Sequence, residues 1–368
     1  MKINFFMPAR VVMGRGCIED NSPLLGRLGS KALIITGRHS AKQNGSEKDV
    51  RAALKREGIP YVLFDKVAPN PPLQIARDAA EIARREKADF VIGIGGGSPL
   101  DTAKVAAILA SNRLDDDELF SAVFPRKPLP VAAIPTTAGS GSEVTQYAIM
   151  TWHAIKNKKS VASHEIIPQL AFLDARYTET LPMHVTVNSA LDALSHAVEG
   201  FMSVKATGLS DLLALEGMRV LGPALAGLVD ASEISFETRG RLLYASMLGG
   251  MVITHTGTTA VHAMGYPLTY FMDIDHGRAN GMLLQGYLQF LSASFGDRVG
   301  KALSSMGFRN LEEFGDVVNS LLGRKEDISA EKIEEFSSLT VTARQLPLTL
   351  KTPSIDDIRE IFRKGFGR

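Results

Sequence analysis

From about residue 31 to residue 135, short apolar runs alternate with longer stretches whose apolar residues recur at helical spacing. Ala32-Leu33-Ile34-Ile35-Thr36 reads as a buried strand, Val50 to Glu57 as a helix stopped at Gly58, and Tyr61 to Phe64 as a second strand. Leu73 to Glu86 carries Leu73, Ile75, Ala76, Ala79, Ile82 and Ala83 close to the helical period. Ala88 to Ile94 is a third strand and runs into Gly95-Gly96-Gly97. Ser98 then reads as the cap of a helix reaching about Leu109. Leu129 to Ile134 is a further strand ended by Pro135, and Ala171-Phe172-Leu173 a last one. This alternation predicts a mainly parallel sheet with helices on its faces.

Past Leu181-Pro182 the pattern changes. Helical stretches follow at Ser189 to Glu199, Ser210 to Leu221, Phe236 to Ile253, Gly281 to Leu291 and Ile355 to Phe362, with almost no strand-like run after Asp174. The expected organisation is therefore an α/β N-terminal domain over 1–180 and an all-α domain over 181–368. A length of 368 residues agrees with two cores rather than one. The charged stretch Lys325 to Glu335 reads as a solvated helix face and its approach.

Composition narrows the functional classes. There are 41 basic and 40 acidic side chains, a formal net charge of +1, and no basic stripe or tail. Nothing electrostatic favours nucleic acid or a membrane surface. Cys17 is the only cysteine, so an internal disulfide and a cysteine-rich metal site are both excluded. Any transition metal must be held by histidine and carboxylate. No apolar run approaches the roughly 20 residues of a membrane span, and the opening Met1 to Phe6 is too short in apolar length for a signal peptide. A cytoplasmic protein is expected.

Two loops could meet a phosphate-bearing ligand. Phe90 to Asp101 is a strand, a glycine turn and a helix start. Backbone without Cβ atoms can approach a diphosphate closely, and the N–H groups of the following helix attract the anion. Pro99 at the first helical position fits such a start. The spacing is not the usual Rossmann fingerprint, and a glycine triplet alone is about as often a plain tight turn. Pro135-Thr136-Thr137-Ala138-Gly139-Ser140-Gly141-Ser142-Glu143 also follows a strand and offers hydroxyls and flexible backbone. By itself it reads as a small-residue connector.

A metal constellation is the other candidate. Asp192 and His196 lie i, i+4 within Ser189 to Glu199, on one helix face one turn apart. Such a pair alone is more often a surface ion pair. His255, His262 and His276 lie in or just after a segment of small residues. Imidazole and carboxylate together suit iron(II) or zinc. The residues alone do not choose among these three histidines.

Taken together these segments resemble the iron-containing alcohol dehydrogenase family. The resemblance is carried by Gly95 to Lys104, Pro135 to Thr145, Asp192 to Gly200, and His262 with His276-Gly277. Pro69-Asn70-Pro71 and Pro168 to Asp174 also fit, and the similarity runs from about Met7 to about Phe362. It implies a Rossmann-like dinucleotide-binding N-terminal domain and a helical metal-binding C-terminal domain, with the site in the cleft between. It implies Asp192, His196, His262 and His276 as ligands of Fe2+, with Zn2+ the alternative. Asn70, Gly95, Gly96, Gly97, Ser98, Asp101, Thr136, Thr137, Ser140 and Thr145 would line the cofactor, and Lys158 would lie near the nicotinamide ribose. Many relatives carry Gly where this chain has Ala190, and a histidine where it has Tyr266. The proton-relay role of that histidine is therefore not carried over to this chain: the Tyr266 phenol could substitute for it, and could equally serve only core packing. A homodimer or larger homo-oligomer is expected by the same resemblance.

The activity so implied is hydride transfer between a nicotinamide cofactor and a small aliphatic alcohol, diol or hydroxyaldehyde, such as propanediol or lactaldehyde. NADP(H) is expected over NAD(H). Dinucleotide folds commonly present an acidic residue to the adenosine ribose after an early strand, and NAD-using relatives often carry Asp there. This chain has Gly37, followed by Arg38 and Ser40, which could bind a 2′-phosphate. Two other classes share parts of this outline. A sugar-phosphate lyase resembling dehydroquinate synthase needs lysines and arginines that Thr256 to Gly265 does not supply. A non-catalytic cofactor-binding protein would not need the intact ligand set.

Overall fold

The computed structural model describes residues 3–152 and 157–367. It divides into two compact units. One comprises Met7–Thr137 and Gly141–Leu181; the other comprises Met1–Phe6, Ala138–Ser140 and Pro182–Arg368.

The first unit is built on a six-stranded sheet, with strands β1 (Arg10–Met13), β2 (Ala32–Gly37), β3 (Tyr61–Val67), β4 (Phe90–Gly95), β5 (Val131–Pro135) and, after the hairpin β6 (Tyr147–Trp152) and β7 (Asn157–Ala162), β8 (Leu170–Leu173). Its order is β1-β8-β5-β4-β2-β3 and every pairing is parallel. Parallel strands covered on both faces read as continuous apolar runs. Leu33, Ile35, Val91 and Val131 point into one core, and Ala32, Ile34, Ile92, Ala132 and Ile134 into the other. Its helices are α1 (Cys17–Asp20), α2 (Ser40–Gln43), α3 (Ser46–Arg56), α4 (Leu73–Glu86), α5 (Gly97–Ser111) and α6 (Asp116–Ser121). Because all six strands run the same way, the carboxyl ends of β2, β3, β4 and β5 lie along one edge. Gly37 and Gly95 are the last residues of β2 and β4, and Asn70 and Thr136 follow β3 and β5.

The second unit is helical: α7 (Met183–Phe201), α8 (Gly208–Leu228), α9 (Phe236–Thr256), α10 (Ala260–Met272), α11 (His276–Ser305), α12 (Leu311–Leu322), α13 (Ala330–Thr340) and α14 (Ile355–Gly365). Helix α7 packs against α8, α9 and α11. Every residue from Ala190 to Phe201 is buried. Among the described residues no helix is long and apolar enough to cross a membrane.

The α/β unit followed by helices is the expected fold class, with local corrections. Helix α5 starts at Gly97 with Gly96 at its cap, so Ser98 is not the cap and Pro99 is the third helical residue. Pro99 costs nothing there, because the N–H it lacks would have no intrahelical partner. Strand β1 is only four residues long and β7 is mostly polar, so neither β1 nor the β6–β7 hairpin stands out; only Ala148, Met150 and Val161 of the hairpin are fully enclosed. Helix α10 was hidden by Gly265 and Pro267 inside it. Helix α11 continues fourteen residues beyond the expected end at Leu291, through non-helical backbone at Phe295.

Candidate metal centre and cofactor loops

Asp192 and His196 are not a surface ion pair. They are 7% and 4% exposed, where an unpaired charge would be costly. Helix α10 brings His262 to them, and His276 opens α11 beside them. The Oδ1 atom of Asp192 lies 3.9 Å from Nε2 of His196, 3.7 Å from Nε2 of His262 and 3.9 Å from Nε2 of His276. The Nε2 atoms of His196 and His262 stand 3.0 Å apart. Asp192, His196 and His262 alone already form a group whose ligand atoms lie within 4.8 Å of one another. Donors bonded to one ion at about 2.0–2.2 Å sit about 3–3.6 Å from each other, and this set is close to that. Two imidazole nitrogens facing each other across 3.0 Å beside a carboxylate are a donor set that could hold a cation.

Burial opposes the charge on Asp192, but the three imidazoles and the Asn280 amide hold its carboxyl below the usual range. Burial pushes His196 down. For His262 burial acts in the same direction, yet the Glu199 carboxylate outweighs it and raises the imidazole. Tyr266 stacks on His276, with ring centroids 5.6 Å apart and planes 11° from parallel.

His255 is elsewhere. Its Nε2 accepts the Phe6 N–H at 3.1 Å, its Nδ1 bonds the Met251 carbonyl at 2.7 Å, and Phe5 stacks on its ring at 4.1 Å. Both ring nitrogens are thus used, and His255 is outside the cluster.

Two residues that sequence reasoning gave no role belong to the cluster. Asn280 donates from Nδ2 to Asp192 Oδ1 at 3.0 Å and faces Nε2 of both His262 and His276 at 3.3 Å. Glu199 accepts from His262 Nδ1. Asn280 is one turn beyond His276 on the same helix face, a signal that helical spacing offered. Glu199 meets a histidine 63 residues away, which no spacing rule reveals.

The cofactor candidates gather along the strand ends of the first unit. Gly95 has φ +149°, and a Cβ there would stand 2.5 Å from Pro99 Cγ, so only glycine makes this turn. The first amides of α5 follow directly. The Thr136 N–H bonds the Gly95 carbonyl at 2.9 Å, which sets the two loops side by side. Ser98 Oγ accepts the Asn70 N–H at 3.2 Å. Asn70 itself has φ 51°. Thr137 lies against Gly96. Gly37 ends β2, and Arg38 and Ser40 beyond it are exposed.

Asp101 and Thr145 already have partners within the protein. Asp101 accepts from Ser142 Oγ at 2.5 Å and the Ile149 N–H at 2.9 Å. The buried Lys104 ammonium donates to Ser142 Oγ, to the Thr145 carbonyl and hydroxyl, and to the Tyr147 carbonyl, at 2.8–3.1 Å. These residues brace the 136–145 loop from below. Burial lowers Lys104 to about 8 and raises the neighbouring Glu143 carboxyl to about 7. Lys158 is half-buried on β7, opposite Thr151, and its charge helps to offset the burial of Asp101. Ser140 belongs with the helical unit.

Comparison with known proteins decides the family. The family model for iron-containing alcohol dehydrogenase matches residues 8–175, and the C-terminal model of the Fe-containing alcohol dehydrogenase family matches residues 186–366. The chain belongs to the iron-containing alcohol dehydrogenase family. It is similar to the NAD-dependent methanol dehydrogenase of Bacillus methanolicus, at 31% identity over 76% of this chain and 73% of that one. It is also similar to the NADPH-dependent butanol dehydrogenase of Clostridium saccharobutylicum, at 28% identity over 96% and 88%. A crystal structure of an iron-containing alcohol dehydrogenase from Thermotoga maritima matches with a TM-score of 0.92 and 38% identity, over 99% of each chain. As an iron-containing alcohol dehydrogenase, the protein is a metal-containing oxidoreductase of alcohols and aldehydes that uses a nicotinamide cofactor.

Proposed function

We propose that Asp192, His196, His262 and His276 hold one divalent metal, Fe2+ in preference to Zn2+. We propose further that the enzyme reduces small aliphatic aldehydes or hydroxyaldehydes, and oxidises the matching alcohols or diols, with NADP(H) in preference to NAD(H). The observation that carries the metal assignment is the convergence of three imidazole Nε2 atoms on one carboxylate oxygen. When bound, the metal supplies Lewis-acid stabilisation of charge developing on the substrate oxygen, and the nicotinamide gives or takes the hydride.

The protein's part is to bind and orient. Asp192 brings a single negative charge and the histidines none, so a divalent ion keeps net positive charge toward the substrate oxygen. Asn280 fixes the Asp192 carboxylate, and the Tyr266 ring fixes the plane of His276. The glycine turn and the first amides of α5 are suited to the cofactor diphosphate. Asn70, Thr136, Thr137, Ser140 and Lys158 are assigned to the rest of the cofactor, while Asp101 and Thr145 act through the loop they brace. Relatives include both NAD- and NADPH-dependent enzymes, so the preference for NADP(H) rests on Gly37 and on the exposed Arg38 and Ser40. A single buried cysteine supports a cytoplasmic setting, and family resemblance supports a homodimer or larger assembly.

The test is anaerobic purification with elemental analysis, followed by an aldehyde panel with both cofactors. His196→Ala should lose tight metal binding and turnover. Full activity with unchanged metal content in that variant would sink the ligand assignment, and a fully active enzyme carrying only zinc would refute iron.

A further inference from the structure

Glu199 is fully buried on α7, three residues after His196. Every polar group that meets its carboxylate is a donor. Oε1 accepts the Thr259 N–H at 2.8 Å, the Thr259 hydroxyl at 2.8 Å and the His262 N–H at 3.3 Å. Oε2 meets Nδ1 of His262 in a hydrogen bond. The Thr259 hydroxyl is in turn 3.0 Å from that of Tyr287, also fully buried.

An acceptor with no donor of its own on one side of an imidazole decides where the ring proton sits. With Oε2 fixed against it, His262 keeps its proton on Nδ1. Its Nε2 lone pair then faces His196 Nε2 and Asp192 Oδ1, the atoms among which the metal is proposed to bind. We propose that Glu199 is a positioning residue of the metal centre. It selects the ring tautomer of His262 that can ligate, locks the ring orientation, and raises the basicity of the ligating nitrogen. Outer carboxylates that do this commonly govern metal affinity tenfold to a hundredfold. The inference rests on the reading of His262 as a metal ligand.

The four-donor surroundings explain why a carboxylate, rather than an amide of the same shape, stands here. A glutamine that turned its carbonyl to Thr259 and the His262 N–H would present its NH2 to Nδ1. The ring would then have to accept there and carry its proton on Nε2, where it blocks ligation. Turned the other way, the NH2 would face the Thr259 and His262 N–H groups and leave both of these buried donors unpaired, a costly arrangement; only the Thr259 hydroxyl could turn and accept from it.

The test compares Glu199→Gln with His262→Ala in chelator-stripped enzyme titrated with Zn2+ against a competing chelator. His262→Ala should abolish tight binding. Glu199→Gln should raise the Zn2+ Kd by about tenfold to a hundredfold. A Kd within twofold of wild type in Glu199→Gln, with binding lost in His262→Ala, would overturn the role of Glu199 and leave the ligand intact. Unchanged binding in His262→Ala would instead remove the ligand reading beneath it. Should Glu199→Gln fail to fold, the wild-type chain decides. With 15N-labelled histidine and no metal, the His262 signals should show the proton on Nδ1. A neutral ring with bare Nδ1 and protonated Nε2 would overturn the proposal.

Discussion

Gly265 lies in the middle of α10, where glycine is about 1 kcal/mol worse than alanine on helix propensity. Gly265→Ala should nevertheless damage the enzyme. A Cβ built there stands 2.2 Å from Asn280 Oδ1 and 3.4 Å from its Cγ. Ordinary carbon–oxygen contact needs about 3.3 Å, so the amide must retreat by about 1 Å. If the amide moves as a body away from Asp192, the 3.0 Å bond from Asn280 Nδ2 to Asp192 lengthens to about 4 Å, beyond hydrogen-bond reach. A hydrogen bond to a charged acceptor contributes about 1.5–3 kcal/mol, and overpacking costs a further 1–3 kcal/mol or so. Both exceed the helix gain. If the first of these is lost from the organisation of Asp192, the metal Kd should rise about tenfold to a hundredfold. The assay is competition for Zn2+ in chelator-stripped enzyme, run as a double-mutant cycle with Asn280→Ala. In that background the added methyl meets the space vacated by the amide, so Gly265→Ala should cost nothing further. Wild-type Kd in Gly265→Ala, or full additivity with Asn280→Ala, would refute the reasoning.

Gly96→Val brings its Cβ within 3.0 Å of Thr137 Oγ1, at the turn proposed for the diphosphate. It should raise the cofactor KM at least about tenfold while shifting Tm by only a few degrees; an unchanged KM would make the turn purely structural. In Gly37→Asp the new Cβ would stand 3.3 Å from the Val67 carbonyl and 3.8 Å from Ser40 Oγ, so the Val67 backbone must give by a few tenths of an ångström and the variant's Tm is checked against wild type alongside. Its carboxylate should move the ratio of kcat/KM from NADPH toward NADH, about tenfold or more; steady-state kinetics with no shift would mean that this position does not face the ribose. Glu143, raised by burial from 4.5 to about 7, retains in the folded state a proton that the unfolded chain has released. Its contribution to stability is therefore full below about pH 4.5 and lost as pH rises toward 7, by up to about 3 kcal/mol at 1.36 kcal/mol per pH unit. Glu143→Gln should gain stability over wild type at pH 8 relative to pH 4.5 in urea denaturation, and a pH-independent difference would refute the assignment.

How far the sequence could be read depended on whether the deciding contacts were local. The central strands were legible because burial on both faces forces unbroken apolar runs such as Ala32 to Ile35. The β6–β7 hairpin was not, because β7 is mostly polar and half of β6 is partly open. Helix α10 carries Gly265 for the sake of Asn280, and that tertiary requirement erased the propensity by which a helix is recognised. At the site, the i, i+4 spacing of Asp192 and His196 was visible, whereas its burial was not. Choosing between His255 and His262 needed resemblance, since what separates them is partners distant in sequence: Phe6 for one, Glu199 for the other.

The four proposed ligands differ in how far they stand from solvent. Asp192, His196 and His262 have side chains 10%, 5% and 3% exposed, on helices whose neighbours surround them, while the His276 side chain is 28% exposed at the first residue of its helix. With these four as ligands, the centre has a doorway, and one of its own ligands stands in it. A metal ion entering or leaving would pass His276, and the other three would stay enclosed while it did so. Loading such a centre would not require the core to open.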